Sequence, residues 1–120
     1  MRKEDVMQYA LLVYERPGAY AGLTDEQRQA ITAEYVAIRH DPRVIGAGQL
    51  KPVETATTLR MVDGESLITD GPFADTKEVF GGYYVLEVDH VDAALELARR
   101  APAIRLGGAV ELRPMVELPS

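Results

Sequence analysis

The stretch Ile68–Val88, ITDGPFADTKEVFGGYYVLEV, decides how this chain folds. Its first half ends an apolar run in an acid and turns through Asp70-Gly71-Pro72. A dense set of charges and hydroxyls, Asp75 to Glu78, then leads into the second half. Gly beside Pro marks a turn whose path is set, and Pro72 biases Gly71 away from the helical region. The second half, Val79–Val88, is strongly apolar and of strand length. Its Gly81-Gly82 pair signals a bulge or room for something to approach.

Upstream, Glu65–Thr69 pairs back on Thr55–Val62 across Asp63-Gly64, a strong hairpin turn. In that ribbon Leu59 and Met61 take one side, Thr58 and Arg60 the other. Val44–Leu50 is a short strand broken by Gly46 and Gly48. Before it, Thr24-Asp25-Glu26-Gln27 is a capping box that opens a helix from Asp25 to about Arg39. Ile31, Tyr35 and Ile38 form its apolar face, and Asp41-Pro42 stops it. Met7–Tyr14 is a second nearly unbroken apolar strand, suited to burial on both faces. The Glu15–Gly22 loop after it reads either as cover for a pocket or as an exposed connection.

Downstream, Asp89 is expected to cap a second helix from about Val91 to Arg100, with Val91, Ala94, Leu95 and Ala98 buried. The last strand, Ala109–Leu118, turns Val110, Leu112, Val116 and Leu118 one way. Glu111, Arg113, Met115 and Glu117 turn the other.

The order is strand, helix, strand, hairpin, strand, helix, strand. This predicts one α+β domain over residues 1–120, a ferredoxin-like βαββαβ sandwich with an extra β-hairpin. Two helices cover only one face of the sheet, and the other face is too apolar for water. A homodimer packing sheet against sheet resolves this, with the ribbon clasping the partner.

Composition narrows the chemistry. The 120 residues contain no cysteine, which excludes disulfides and thiolate chemistry. Net charge is −6 and the 13 basic residues are scattered, so no nucleic-acid surface is expected. No apolar run is long enough to span a bilayer and no leader pattern is seen, so a cytoplasmic protein without membrane contact is expected. His40 and His90 lack metal-ligand spacing and no phosphate-binding glycine motif occurs, so no metal and no cofactor are expected.

Asp70 reads as a general base or as a turn residue bonding nearby amides. Arg60, Glu111 and Arg113 read as anion-binding groups on the dimer face or as an ion-pair network. Lys77 and Glu78 read as an acid/base or anion-binding pair, or as solvated charges. Tyr83 and Tyr84 point to opposite faces, so at most one meets a ligand there, with Tyr14 able to join it. Phe73 anchors the turn at the edge of the same site.

These blocks resemble a known family. Asp70-Gly71-Pro72-Phe73 with Ala74–Glu78 is similar to the signature of the DGPF-domain group of YCII-related proteins. Ala56–Arg60, Gly81-Gly82-Tyr83-Tyr84 and Val110–Pro114 are similar to further blocks of that family. The resemblance covers roughly Met7 to Glu117 and implies a dimeric α+β barrel. It also implies an enzyme, since some relatives carry a His–Asp pair in a cleft with the His in the first-helix region. Here that region holds Gln29, Ile31 and Thr32, and no histidine until His40. The resemblance further implies an association with extracytoplasmic-function sigma factors.

Two functions follow as expectations. The first is a dimer with a ligand-sized cavity on the sheet face. It would do cofactor-independent acid/base chemistry, of isomerase or lyase type, on a small carboxylate or carbonyl compound. Asp70 would be the base and Arg60 or Arg113 the anchor for a small anionic ligand. The second is a non-catalytic ligand-sensing or protein-interaction module that engages a sigma factor. A third reading leaves the polar motif only to stitch the dimer.

Overall fold

The computed structural model describes residues 6–72 and 77–116. Four strands, β1 (Met7–Glu15), β2 (Val44–Gln49), β5 (Val79–Val88) and β6 (Ala109–Pro114), form one antiparallel sheet in the order β2-β5-β1-β6. Strands β3 (Thr57–Val62) and β4 (Glu65–Asp70) form a separate ribbon. Helix α1 (Asp25–Arg39) connects β1 to β2, and α2 (Val91–Ala98) connects β5 to β6. The α+β, ferredoxin-like arrangement with an extra hairpin is therefore present.

Alternation places the core. Tyr9, Leu11 and Val13 of β1 and Tyr84, Leu86 and Val88 of β5 are buried on the helix side, against Ile38, Ala94, Leu97 and Ala98. Ala10, Leu12 and Tyr14 alternate with them and stay half-buried on the face that neither helix covers. They pair with Val85, Tyr83 and Phe80, of which Tyr83 and Phe80 are exposed.

The helix ends follow local chemistry. Thr24 caps α1: its hydroxyl accepts from the Gln27 amide and the Gln27 side chain accepts from the Thr24 amide. The cap of α2 is His90, not Asp89. The His90 Nδ1 accepts from the Asp92 amide at 3.1 Å, because His90 has the extended backbone a cap needs. The buried face of α2 also differs from expectation. Leu97 is fully buried, whereas Val91 is exposed at the first turn.

Glycines serve close approach at two strand positions and just before β6. Register between β1 and β5 slips at Val13/Tyr14, which leaves Gly81 as the extra residue of a bulge. The ring of Tyr83 lies over Gly48: a Cβ there would sit 2.6 Å from it. A Cβ on Gly108 would sit 2.2 Å from the Tyr14 carbonyl oxygen. The ribbon turn is of type I′, with Asp63 at φ 51° and Gly64 at φ 82°. The last strand ends at Pro114 instead of Leu118; Met115 and Val116 follow outside any strand, and Glu117 and Leu118 lie outside the described residues.

Candidate functional site

Residue parity along β1 brings an acid to a place where the rest of the file is apolar. Tyr9, Leu11 and Val13 face the helices, and two residues on so does Glu15. Its side chain lies across Gly81, where a Cβ would stand 2.6 Å from Oε1. Any larger residue at the bulge would displace the carboxylate.

The loop after β1 closes over this point. Arg16–Gly22 folds through two tight turns, with Ala19 N–H donating to the Arg16 carbonyl and Ala21 N–H to that of Gly18, both at 3.0 Å. Gly18 and Gly22 take φ near 80°, a backbone that L side chains avoid. Between them Ala19 is buried and Tyr20 turns inward, where its hydroxyl is hydrogen-bonded to Glu15. Burial, that bond and the Glu15 charge hold the Tyr20 hydroxyl far above its ordinary pKa.

Tyr35 enters from α1. Its oxygen accepts the Ala103 N–H at 3.0 Å, and burial followed by the nearby Glu15 charge raises its pKa. Tyr84 enters from β5 and donates to the Tyr35 carbonyl at 2.9 Å; burial pushes it up to about 12. All three tyrosines stay protonated at neutral pH. They are hydrogen-bond donors and not phenolates.

These groups line a cleft of about 650 Å³ between α1, the Arg16–Gly22 loop, the start of β5 and the Leu50–Glu54 segment. That volume suits a small organic molecule. Arg28 holds one wall, donating to the Tyr20 carbonyl at 3.0 Å.

The residues expected at a site are spread differently. Tyr83 lines the cleft; Arg60, Asp70, Lys77, Glu78, Glu111 and Arg113 do not. Asp70 is exposed at the end of β4, opposite Thr57, and is followed by Gly71 at φ 101°. The turn is held by the Thr58 hydroxyl, which donates to the Gly71 carbonyl at 2.8 Å, and by Gly71 N–H to the Ala56 carbonyl. Arg60 is exposed on β3, and Lys77 and Glu78 are exposed before β5. Phe73 and Asp75 lie outside the described residues. Glu111 and Arg113 come together on β6: Arg113 donates to Oε2 at 2.6 Å and Tyr14 donates to Oε1 at 3.4 Å. β3 and β6 belong to different sheets, so the backbone does not pair Arg60 with this trio. His40 is the exposed C-cap of α1.

Glu15 and Tyr20 did not stand out as chemistry in the sequence. The available signal was the parity of β1, which puts a carboxylate at the end of a core-facing apolar file, next to a loop punctuated by Gly18 and Gly22. Tyr35 was legible as a member of the buried helix face. Among the described residues no cluster of histidine, aspartate and glutamate is disposed to hold a metal, and no helix is long and apolar enough to cross a membrane.

The family model described as the YCII-related domain matches residues 7–119. An uncharacterized protein of Rhizobium meliloti (strain 1021) is similar to this chain, with 33% identity over 126 residues. The match covers 95% of this chain and 100% of that protein.

Proposed function

Since the chain belongs to the YCII-related family, we propose that it is a homodimeric, cofactor-independent catalyst of proton transfer on a small carbonyl or carboxylate compound, bound in the cleft at Glu15. One observation carries this reading: a carboxylate, two inward-facing tyrosine hydroxyls and a cleft of ligand size meet at one point. In the reaction, Glu15 takes a proton from the carbon beside the carbonyl. The electron pair moves to the carbonyl oxygen, which accepts a hydrogen bond from Tyr35. In an unsaturated compound the enolate extends over the adjacent C=C, and return of the proton from Glu15 to the far carbon of that bond completes an isomerisation. Tyr35 is positioned for its role by the Ala103 N–H that its oxygen accepts and by a hydrogen bond with Tyr20, so its proton turns from Tyr20 to the carbonyl oxygen when the compound binds. Tyr20 holds the carboxylate in place.

A second reading keeps the base at Asp70 and the ligand on the uncovered sheet face. The joined Tyr14, Glu111 and Arg113 favour it, since they form a polar patch on a face a second subunit would cover. One assay separates the two. The protein is incubated in deuterium oxide with a panel of small keto and unsaturated acids, and exchange is followed by NMR. Glu15→Gln is expected to lower exchange at least about 100-fold, the usual loss for a missing general base, with Asp70→Asn unchanged. The opposite pattern transfers the base role to Asp70. No exchange by the unaltered protein with any compound removes the catalytic reading.

A further inference from the structure

Among the described residues the ion-paired arginines with assigned partners lie away from the cleft: Arg43 with Asp41 and Glu96, Arg100 with Asp41, Arg105 with Glu34 and Arg113 with Glu111. The cations along the cleft make no such pair. Arg39 and Lys51 line it and make no ion pair or side-chain hydrogen bond among the described residues. Arg28 makes only its bond to the Tyr20 carbonyl, and Arg16 turns away to donate to the Leu106 carbonyl at 3.3 Å. Two carboxylates share the lining, Glu15 and Glu54, and Glu15 is engaged with Tyr20. A chain of net charge −6 thus carries a locally cationic cleft. Unpaired cations in a concave site raise the local concentration of anions and select them.

Their placement adds length. Arg28, Thr32, Tyr35 and Arg39 follow one another on α1 at steps of four, three and four, so they share a face, and all line the cleft. Arg28 and Arg39 are eleven residues apart, which sets their Cα atoms roughly 16 Å apart along the helix. Arg28 stands at the Glu15 end, beside Tyr20. Lys51 stands there too, because the Leu50 amide donates to Gly81, the residue that Glu15 overlies. Arg39 stands further down, close enough to Tyr84 to act on its hydroxyl. Between the two ends the lining includes Val13, Ile31 and Val36. A ligand with one charge satisfies one end and leaves the other cation bare.

We infer that the cleft takes an elongated organic dianion with an apolar middle, one acid group read by Arg28 and Lys51 and the other by Arg39. This rests on the cleft being the ligand site, and it assigns anion recognition to residues other than Arg60 and Arg113. The acid group at either end is a carboxylate or a phosphate, since both present oxygens that an arginine fork recognises.

The test is calorimetric titration of the intact chain with straight dicarboxylates from malonate to suberate, with the monoacid hexanoate, and with inorganic phosphate. The best dicarboxylate is expected to bind at least tenfold more tightly than the monoacid, and to weaken as salt rises. Arg39→Gln is expected to erase that advantage, while Arg105→Gln, outside the cleft, leaves it intact. Phosphate that competes with the dicarboxylate points to a phosphorylated acid; phosphate that does not compete points to carboxylates at both ends. Equal binding of diacid and monoacid, no binding of any dicarboxylate, or an advantage that survives Arg39→Gln overturns the inference. Glu15→Gln separates it from the catalytic proposal: this variant is expected to keep the dicarboxylate preference while losing exchange. Loss of the preference with exchange intact would overturn the dianion alone.

Discussion

Single residues in this protein are constrained most tightly where backbones touch. Gly108, just before β6, lies against the carbonyl of Tyr14, and the three nearest atoms to a Cβ there are backbone, including Ala103 O and Glu15 Cα at 3.2 Å. Gly48 meets only the outer part of the Tyr83 ring, on a side chain 38% exposed. The first obstacle cannot swing away and the second can. Gly108→Ala is expected to cost roughly 2 kcal/mol or more, at the upper part of the range for overpacking, and Gly48→Ala less than about 1 kcal/mol. Urea unfolding of the two variants checks this. Because Gly108 bears on Tyr14 and Glu15, its loss is also expected to disturb the candidate carboxylate, and Gly48→Ala is not.

At the scale of elements, one carboxylate ties three of them. Asp41 follows α1 and accepts from Arg43 at the entry to β2 through Nε and Nη2, both at 2.9 Å, and from the Arg43 amide. Arg100, after α2, adds a contact of 3.3 Å to the same carboxylate, and Arg43 reaches on to Glu96 of α2. The Arg43 hydrogen bonds hold the Asp41 carboxyl well below the usual carboxylate range. A depressed folded-state pKa stabilises the fold above the unfolded value, near 3.8, and that contribution is lost as pH falls below it. Asp41→Asn is therefore expected to destabilise by about 1–3 kcal/mol at pH 7, with the gap to the unaltered protein narrowing toward pH 2. Parallel denaturation curves at pH 7 and pH 3 decide it, and a gap that does not change with pH would refute the linkage. The ribbon contrasts with this clasp. Of the described residues in β3 and β4, Thr58 alone is buried, and Leu59, Met61 and Ile68 are each about two-thirds exposed.

The whole molecule is broad and thin, 48 × 45 × 19 Å, with a radius of gyration of 16.7 Å. A compact chain of this length is expected near 13.6 Å. The excess fits a ribbon that projects from the main sheet, and with the uncovered face of Leu12, Tyr83 and Val85 it motivates the proposed homodimer. Leu12→Arg with Val85→Arg is expected to convert a dimer to monomer in sedimentation velocity at micromolar concentration, with the far-ultraviolet dichroism unchanged. A monomer before any substitution would rule the dimer out.

The element order, both helix spans to within two residues, the Thr24 cap, the Asp63-Gly64 turn and the bulging glycines are legible in the residue order. Each of these is written in local periodicity or in backbone chemistry that acts over a few residues. The α2 cap was missed by one position because Asp89 and His90 both have a side chain able to accept from an amide, and backbone conformation chose between them. Where the polar groups meet depends on how the elements pack. Glu15, Tyr20, Tyr35 and Tyr84 come from a strand, a loop, a helix and a second strand, and their shared environment exists once α1 lies on the sheet. The charges around the Asp70-Gly71-Pro72 turn are neighbours in sequence, which makes that turn legible without the fold. The Glu15–Gly22 loop is legible as cover for a pocket, but the tyrosines that complete the cleft, Tyr35 and Tyr84, reach it only through packing.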